Sequence, residues 1–174
     1  GKECVFVAVK EDGKIDGPSD LKEGTKLAIG DPDSGSYATW SYLQTLVPAY
    51  GKVETYAKGG NRMLAKVKTG EIDAFLWVAA KDKPNSFLDT VMQSDSGLKV
   101  IDMASWHVND KLPNGKSVYT KEDSIVKSGL FTDKSVSTAC TSTLVITNND
   151  ASDELLDTVA IVLLKNSSRI TGTK

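Results

Sequence analysis

Apolar and polar positions along the chain change period several times, and each change marks an element. "ECVFVAVK" (3–10) is β-branched and aromatic and predicts a strand. The polar, turn-rich stretch 11–24 follows, with "PSDLKEG" predicting a short helical turn. "TKLAIG" (25–30) predicts a strand, and 36–47 a helix brought to a stop by Pro48 and Gly51. "KVETYA" (52–57) alternates as a strand does. In 60–70 the residues Met63, Leu64 and Val67 form a helical stripe that Gly70 is suited to cap. "IDAFLWVAA" (72–80) is nearly all apolar, as a strand covered on both faces would be. A helix over 84–95 with Phe87, Leu88, Val91 and Met92 inward, then a strand over 98–103, complete the run.

The order from 25 to 103 is therefore β-α-β-α-β-α-β with short connections. It predicts an α/β fold, a mainly parallel sheet with helices on both faces and right-handed crossovers. The tail is patterned differently. Residues 104–134 predict loops and short strands, and 135–148 ("SVSTACTSTLVITN") one long strand. In "NNDASDELLDTVAIVLLKN" Ser152 is a capping residue, Asp153 and Glu154 suit the first turn, and Leu155, Val159, Val162 and Leu163 form an apolar stripe.

Composition narrows the function classes. The 174 residues suffice for one core or one lobe with appendages, and 40% hydrophobic with 25% charged residues is ordinary for a globular protein. A net charge of −2 exerts no general pull on nucleic acid. The longest apolar runs are too short to span a bilayer. One histidine, His107, and two cysteines, Cys4 and Cys140, make structural zinc improbable. The cysteines fit either one disulfide or two buried thiols.

Chemistry concentrates in "IGDPDSGSY" (29–37), where a strand feeds a turn of small residues and the turn feeds a helix. Gly30 and Gly35 have P-loop spacing, but Ser36 and Tyr37 follow in place of Lys and Ser/Thr, which argues against NTP hydrolysis. A calcium loop starting at Asp12 would carry Lys14 where an oxygen ligand belongs. A Ser-His-Asp triad would have to use His107, and no nucleophile elbow accompanies it. What remains is a helix start with unpaired N–H groups and the positive end of the helix dipole. Ser34, Ser36 and Thr39 offer hydroxyls there, and Gly35 permits close approach to the backbone. A small carboxylate or oxyanion suits such a mouth at the carboxyl ends of the strands. The competing reading is a helix cap, made by Asp33 or Ser34. Asp31 and Asp33 add negative charge nearby, which favours a zwitterion over a dianion.

Two further segments end at the same sheet edge. Trp77, Val78, Ala79 and Ala80 close the strand 72–80, where an indole can wall a pocket or simply pack in the core. "YAKGGNR" (56–62) offers Lys58 or Arg62 to a ligand carboxylate. Tyr37, Trp40 and Tyr42 lie too close on one helix for all to face a ligand.

"SDLKEGTKLAIGDPDSGSYATWSYL", "GGNRMLAKVKTGEIDAFLWVAA" and "STACTSTLVITNNDASDELLDTVAIVLLKN" together resemble the second half of type 2 periplasmic solute-binding proteins, most nearly the TAXI group of TRAP-transporter receptors. The resemblance implies a hinged two-lobed receptor that closes on a small solute and delivers it to a membrane transporter. It implies that Ser34, Gly35 and Ser36 hold a ligand carboxylate and that Trp77 to Ala80 line the cleft. Asp33 stands where the family tends to have Gly, and the family's Gly-rich first-lobe opening is absent. The resemblance divides the chain into a hinge strand and turn (1–19), a ligand-binding lobe (20–104), and a return strand with C-terminal helix (105–174) left over from the other lobe. It also places the strands of Cys4 and Cys140 side by side, within disulfide reach.

The expected function is thus non-catalytic: an extracytoplasmic receptor for a small anion or amino acid, with no cofactor, feeding transporter subunits. Asp33, Ser34, Gly35, Ser36, Tyr37, Lys58, Trp77, Val78 and Ala79 are its expected ligand-binding residues. The alternatives are the sensing domain of a regulator, or an enzyme on the same lobe using Asp31, Asp33 or His107. With the first lobe missing, the stripe of the last helix lacks cover, which predicts a homodimer or an exchange of terminal segments.

Overall fold

The computed structural model of the chain describes residues 1–83, 85–104, 111–112, 114–127 and 133–167. Its centre is β1 (Lys2–Lys10), every residue of which from Cys4 to Val9 is buried. Alternation along this strand feeds two cores. Val5, Val7 and Val9 point to one face and Cys4, Phe6 and Ala8 to the other. β2 (Lys26–Ala28), β3 (Glu54–Tyr56) and β4 (Ala74–Ala80) form the parallel part of the sheet, with β2 between the other two. β1 runs antiparallel to β4 along its length, to β5 (Leu98–Val100) at its end and to β7 (Lys134–Ser142) at its start. β6 (Thr120–Lys127) pairs antiparallel with β7 at one edge of the seven-stranded sheet.

The expected helix layers are present. α1 (Gly35–Leu46) lays Trp40 and Leu43 on the valine face of β1, and Tyr50, in the 3₁₀ turn Pro48–Lys52, stacks on Trp40 with ring centroids 4.8 Å apart. α2 (Asn61–Thr69) buries Met63, Leu64 and Val67 on the opposite face. It ends at Gly70, whose φ of 77° is the left-handed cap its position predicts. α3 (Ser86–Val91) contributes Leu88 and Val91 to the same face. These two layers enclose the sheet and give the chain its α/β class.

Several expectations are corrected. The sheet is mixed rather than mainly parallel, because β1 and β6 run against β2, β3, β4, β5 and β7. α3 is shorter than 84–95: the Ser96 hydroxyl donates to the Val91 carbonyl at 2.7 Å and draws the chain into a turn. The segment 104–134 holds a full strand, β6, and its inward residues Ser124 and Val126 are too dissimilar for their alternation to be read. β7 ends at Ser142 rather than 148, its last pair with β1 being Ser142 with Lys2. Finally α4 (Asp153–Lys165) forms with Ser152 as its N-cap, but none of its residues is buried.

Cys4 and Cys140 face each other across β1 and β7 and are joined as a disulfide. Thr138, also fully buried, donates its hydroxyl to the Val5 carbonyl beside them. Among the described residues no helix is long and apolar enough to cross a membrane.

Candidate functional site

The parallel strands β2, β3 and β4 deliver their carboxyl ends to one edge of the sheet, and the loops there are tied together by backbone bonds. Ile29 N–H donates to the Tyr56 carbonyl at 3.0 Å and Gly30 N–H to the Lys58 carbonyl at 3.1 Å. Gly30 has a φ of 89°, and a Cβ at this position would lie 2.6 Å from Ser34 Oγ, so a side chain is excluded twice over. A Cβ on Gly59 would sit 3.3 Å from Asp31 Oδ2. Loop 30–34 and loop 58–59 therefore pack backbone to backbone.

The turn closes with the Ser34 N–H donating to the Asp31 carbonyl at 3.1 Å, and Asp33 occupies the left-handed region with φ 67°. Ser34 is the N-cap of α1: its Oγ accepts from Tyr37 N–H at 3.2 Å. Ser36 Oγ accepts from Val78 N–H at 3.1 Å and pins the first turn of α1 to the end of β4. The N–H groups of Gly35 and Ser36 have no acceptor among the described residues. They form, with the dipole of a twelve-residue helix behind them, an anion-accepting pair open to solvent.

The structure thus brings Asp33, Ser34, Gly35, Ser36, Lys58 and Val78 to one edge of the sheet and leaves Tyr37 exposed beside them. Ala79, half-buried, follows Val78 opposite Cys4. Trp77 is not part of this group. Its indole is 3% exposed and packs against Phe6, Phe75 and Phe87, so the expectation that it lines the cleft is corrected to a core role. Thr39 is likewise turned away: its hydroxyl is buried against the Tyr119 hydroxyl at 2.7 Å. Arg62, on the first turn of α2, is exposed. His107 lies outside the described residues.

Two contributions escaped the sequence reading. Asp31 seats against Gly59, which only the packing of two loops reveals, although the glycine pair 59–60 was a visible signal. Away from this edge, a cavity of about 460 Å³ opens between α3 and β6, with Asp82, Asp89 and Lys127 in its wall. Asp82 has φ 55° and is already engaged there, its carboxylate accepting from Ile125 N–H at 2.8 Å and from Lys81 Nζ at 2.9 Å. Burial pushes the Asp82 carboxyl up, but those donors outweigh it and hold it below the ordinary value. Among the described residues no cluster of His, Cys, Asp and Glu is able to hold a metal ion.

No protein-family model and no curated protein matches this sequence. Solved structures do match. The protein Tv2483 bound to L-arginine is 11% identical with a TM-score of 0.53, and the match covers 98% of this chain and 52% of that one. The amino acid ABC transporter substrate-binding protein AbpA of Streptococcus pneumoniae, bound to L-arginine, is 13% identical with a TM-score of 0.51 over 98% of this chain and 54% of that one. An ancestral arginine-binding protein bound to arginine is 17% identical with a TM-score of 0.50 over 98% and 57%. The chain has the α/β fold of type 2 periplasmic binding proteins, and it spans about half the length of the structures that it matches. The expected closeness to TAXI receptors of TRAP transporters is overturned: the similar structures include ABC-transporter binding proteins, not TRAP receptors.

Proposed function

We propose that the chain is the ligand-holding part of an extracytoplasmic solute-binding receptor that serves a membrane transporter and carries out no catalysis. The observation that carries this reading is the pair of unsatisfied N–H groups, Gly35 and Ser36, at the joint ends of three parallel strands. Their ligand is a small carboxylate, in a zwitterion rather than a dianion. The helix start and Lys58 attract the carboxylate, while Asp31 and Asp33 favour an ammonium or guanidinium group beside it. Amino acids meet that description, and the arginine bound in the similar structures makes L-arginine the first to test. The disulfide agrees with an oxidising, extracytoplasmic compartment.

In this reading residues 20–104 are the ligand lobe, 1–19 supply the strand that enters it, and 105–174 the strand and helix that leave it. The second wall of the cleft comes from a body outside the described residues. An enzyme on the same lobe would need an acid or base with an orienting partner at the mouth. Asp31 and Asp33 are there, but neither shows a hydrogen-bonded acid–base partner among the described residues.

Thermal shift against amino acids, short dicarboxylates and phosphate tests the proposal. A ligand at a hundredfold excess over Kd stabilises by about 2.7 kcal/mol. Ser36→Ala is a poor probe, since it also frees Val78 N–H. Gly35→Glu is better: a Cβ there meets nothing within 4 Å, and a carboxylate in the first turn of a helix is favourable. We expect Gly35→Glu to leave stability unchanged or slightly raised and to abolish the ligand-induced shift. A variant that binds as well as the wild type refutes the site.

A further inference from the structure

The N–H groups of Gly35 and Ser36 are only as well placed as the first turn of α1 that carries them. Ser36 and Thr39 tie that end of the helix to other elements. Ser36 Oγ accepts from Val78 N–H of β4 at 3.1 Å. Three positions on, and so on the same face of the helix, the Thr39 hydroxyl is bonded to the Tyr119 hydroxyl at 2.7 Å, and either is able to donate. Thr39 is 7% exposed and Tyr119 6%, so water is no ready substitute for either partner.

Tyr119 touches α1 a second time. Its ring stacks on Tyr42, centroids 5.8 Å apart, three positions further along the helix. The residue stands immediately before β6, whose first member, Thr120, is opposite Cys140, the disulfide partner of Cys4 in β1. A cross-linked part of the sheet thus carries the phenol, 80 positions from the threonine that it holds.

Apolar packing alone does not fix how α1 is turned about its axis. Trp40 and Leu43 lie in the core with the valines of β1, and that attraction is non-directional. Hydrogen bonds weaken steeply as their angle closes. The bonds at Ser36 and Thr39 therefore set the rotation and height of the first turn, and with them where the Gly35 and Ser36 N–H groups point.

We propose that Tyr119 is a positioning residue for this site: through the Thr39 hydroxyl it holds the start of α1 at the angle that a ligand carboxylate needs. Its role in binding rests on the receptor reading, whereas the seating of the helix is measured without ligand.

Tyr119→Phe is the direct test, because it removes one hydroxyl and keeps the ring on Tyr42. Val78 N–H is bonded to Ser36 Oγ and Ala38 N–H to the Ser34 carbonyl. Hydrogen exchange followed by NMR on the ligand-free variant is expected to show both amides exchanging about three- to tenfold faster. Phe75 and Leu76, deeper in β4, should change less. Titration calorimetry with L-arginine is expected to show Kd raised by the same factor. Thr39→Val should match Tyr119→Phe in Kd, and the double variant should be no worse than either, since all three lack the same bond. Thr39→Ser keeps a hydroxyl and should bind as the wild type does. Unchanged Val78 exchange in Tyr119→Phe overturns the proposal, as does a uniform rise along β4, which reports lost stability alone. A wild type that binds L-arginine with the same Kd as Tyr119→Phe overturns it as well. Faster Val78 exchange in a protein that binds no amino acid supports the seating and refutes the receptor reading instead.

Discussion

At Trp77 the alternation of β4 decides which way the indole points, and it points inward, onto Phe6, Phe75 and Phe87. Its Nε1 is buried without a hydrogen-bond partner. Trp77→Phe therefore removes an unsatisfied donor along with some ring area and should be tolerated far better than Trp77→Ala, which is expected to cost about 3–5 kcal/mol. Denaturant unfolding measures both, and ligand binding by Trp77→Phe should match the wild type. A specific loss of affinity in Trp77→Phe at intact stability would return this residue to the cleft. Tyr50 supplies a titration that the sequence does not suggest. Burial raises its phenol from 10.0 to about 12. The folded state thus keeps a proton that the unfolded chain has released, so stability is constant below pH 10 and falls as pH rises toward 12. Each unit of that window is worth roughly 1.4 kcal/mol. Unfolding curves at several alkaline pH values test this, and Tyr50→Phe should flatten the dependence.

Among the elements, those with a strong local signal form where their residues place them. The six-residue buried run of β1 follows from unbroken apolar sequence. The ends of α1 and α2 follow from Ser34 and Gly70, because caps act within a turn of the residue that makes them. β6 was not legible, since its strand character rests on pairing with β7, and cross-strand neighbours do not appear in a linear pattern. α3 loses its last turns to Ser96, a competition between one hydroxyl and the helix for the same carbonyl. Between elements, the disulfide is a covalent tie that joins β1 to β7 across 136 positions. Replacing both cysteines by Ala is expected to destabilise the protein by about 5 kcal/mol on the chain-entropy account. The loss should appear as a lower denaturant midpoint, with a steeper slope because the unfolded chain without its cross-link exposes more surface. A midpoint equal to that of the wild type would remove the staple from the account.

For the whole molecule, the likeness to two-lobed binding proteins covers nearly all of this chain but only about half of theirs. At the edge of the sheet the N–H groups of Gly35 and Ser36 have no acceptor among the described residues, and the terminal helix has no residue buried. The sequence by itself determined the layered α/β class, the glycine-and-serine corner and the amphipathic last helix, because each depends on residues within a few positions of one another. Only the tertiary structure decided the antiparallel placement of β1, the inward turn of Trp77 and Thr39 and the bond from Val78 to Ser36. These are contacts between distant segments, and they are set by which faces must leave water together, a requirement that no single stretch of the chain states.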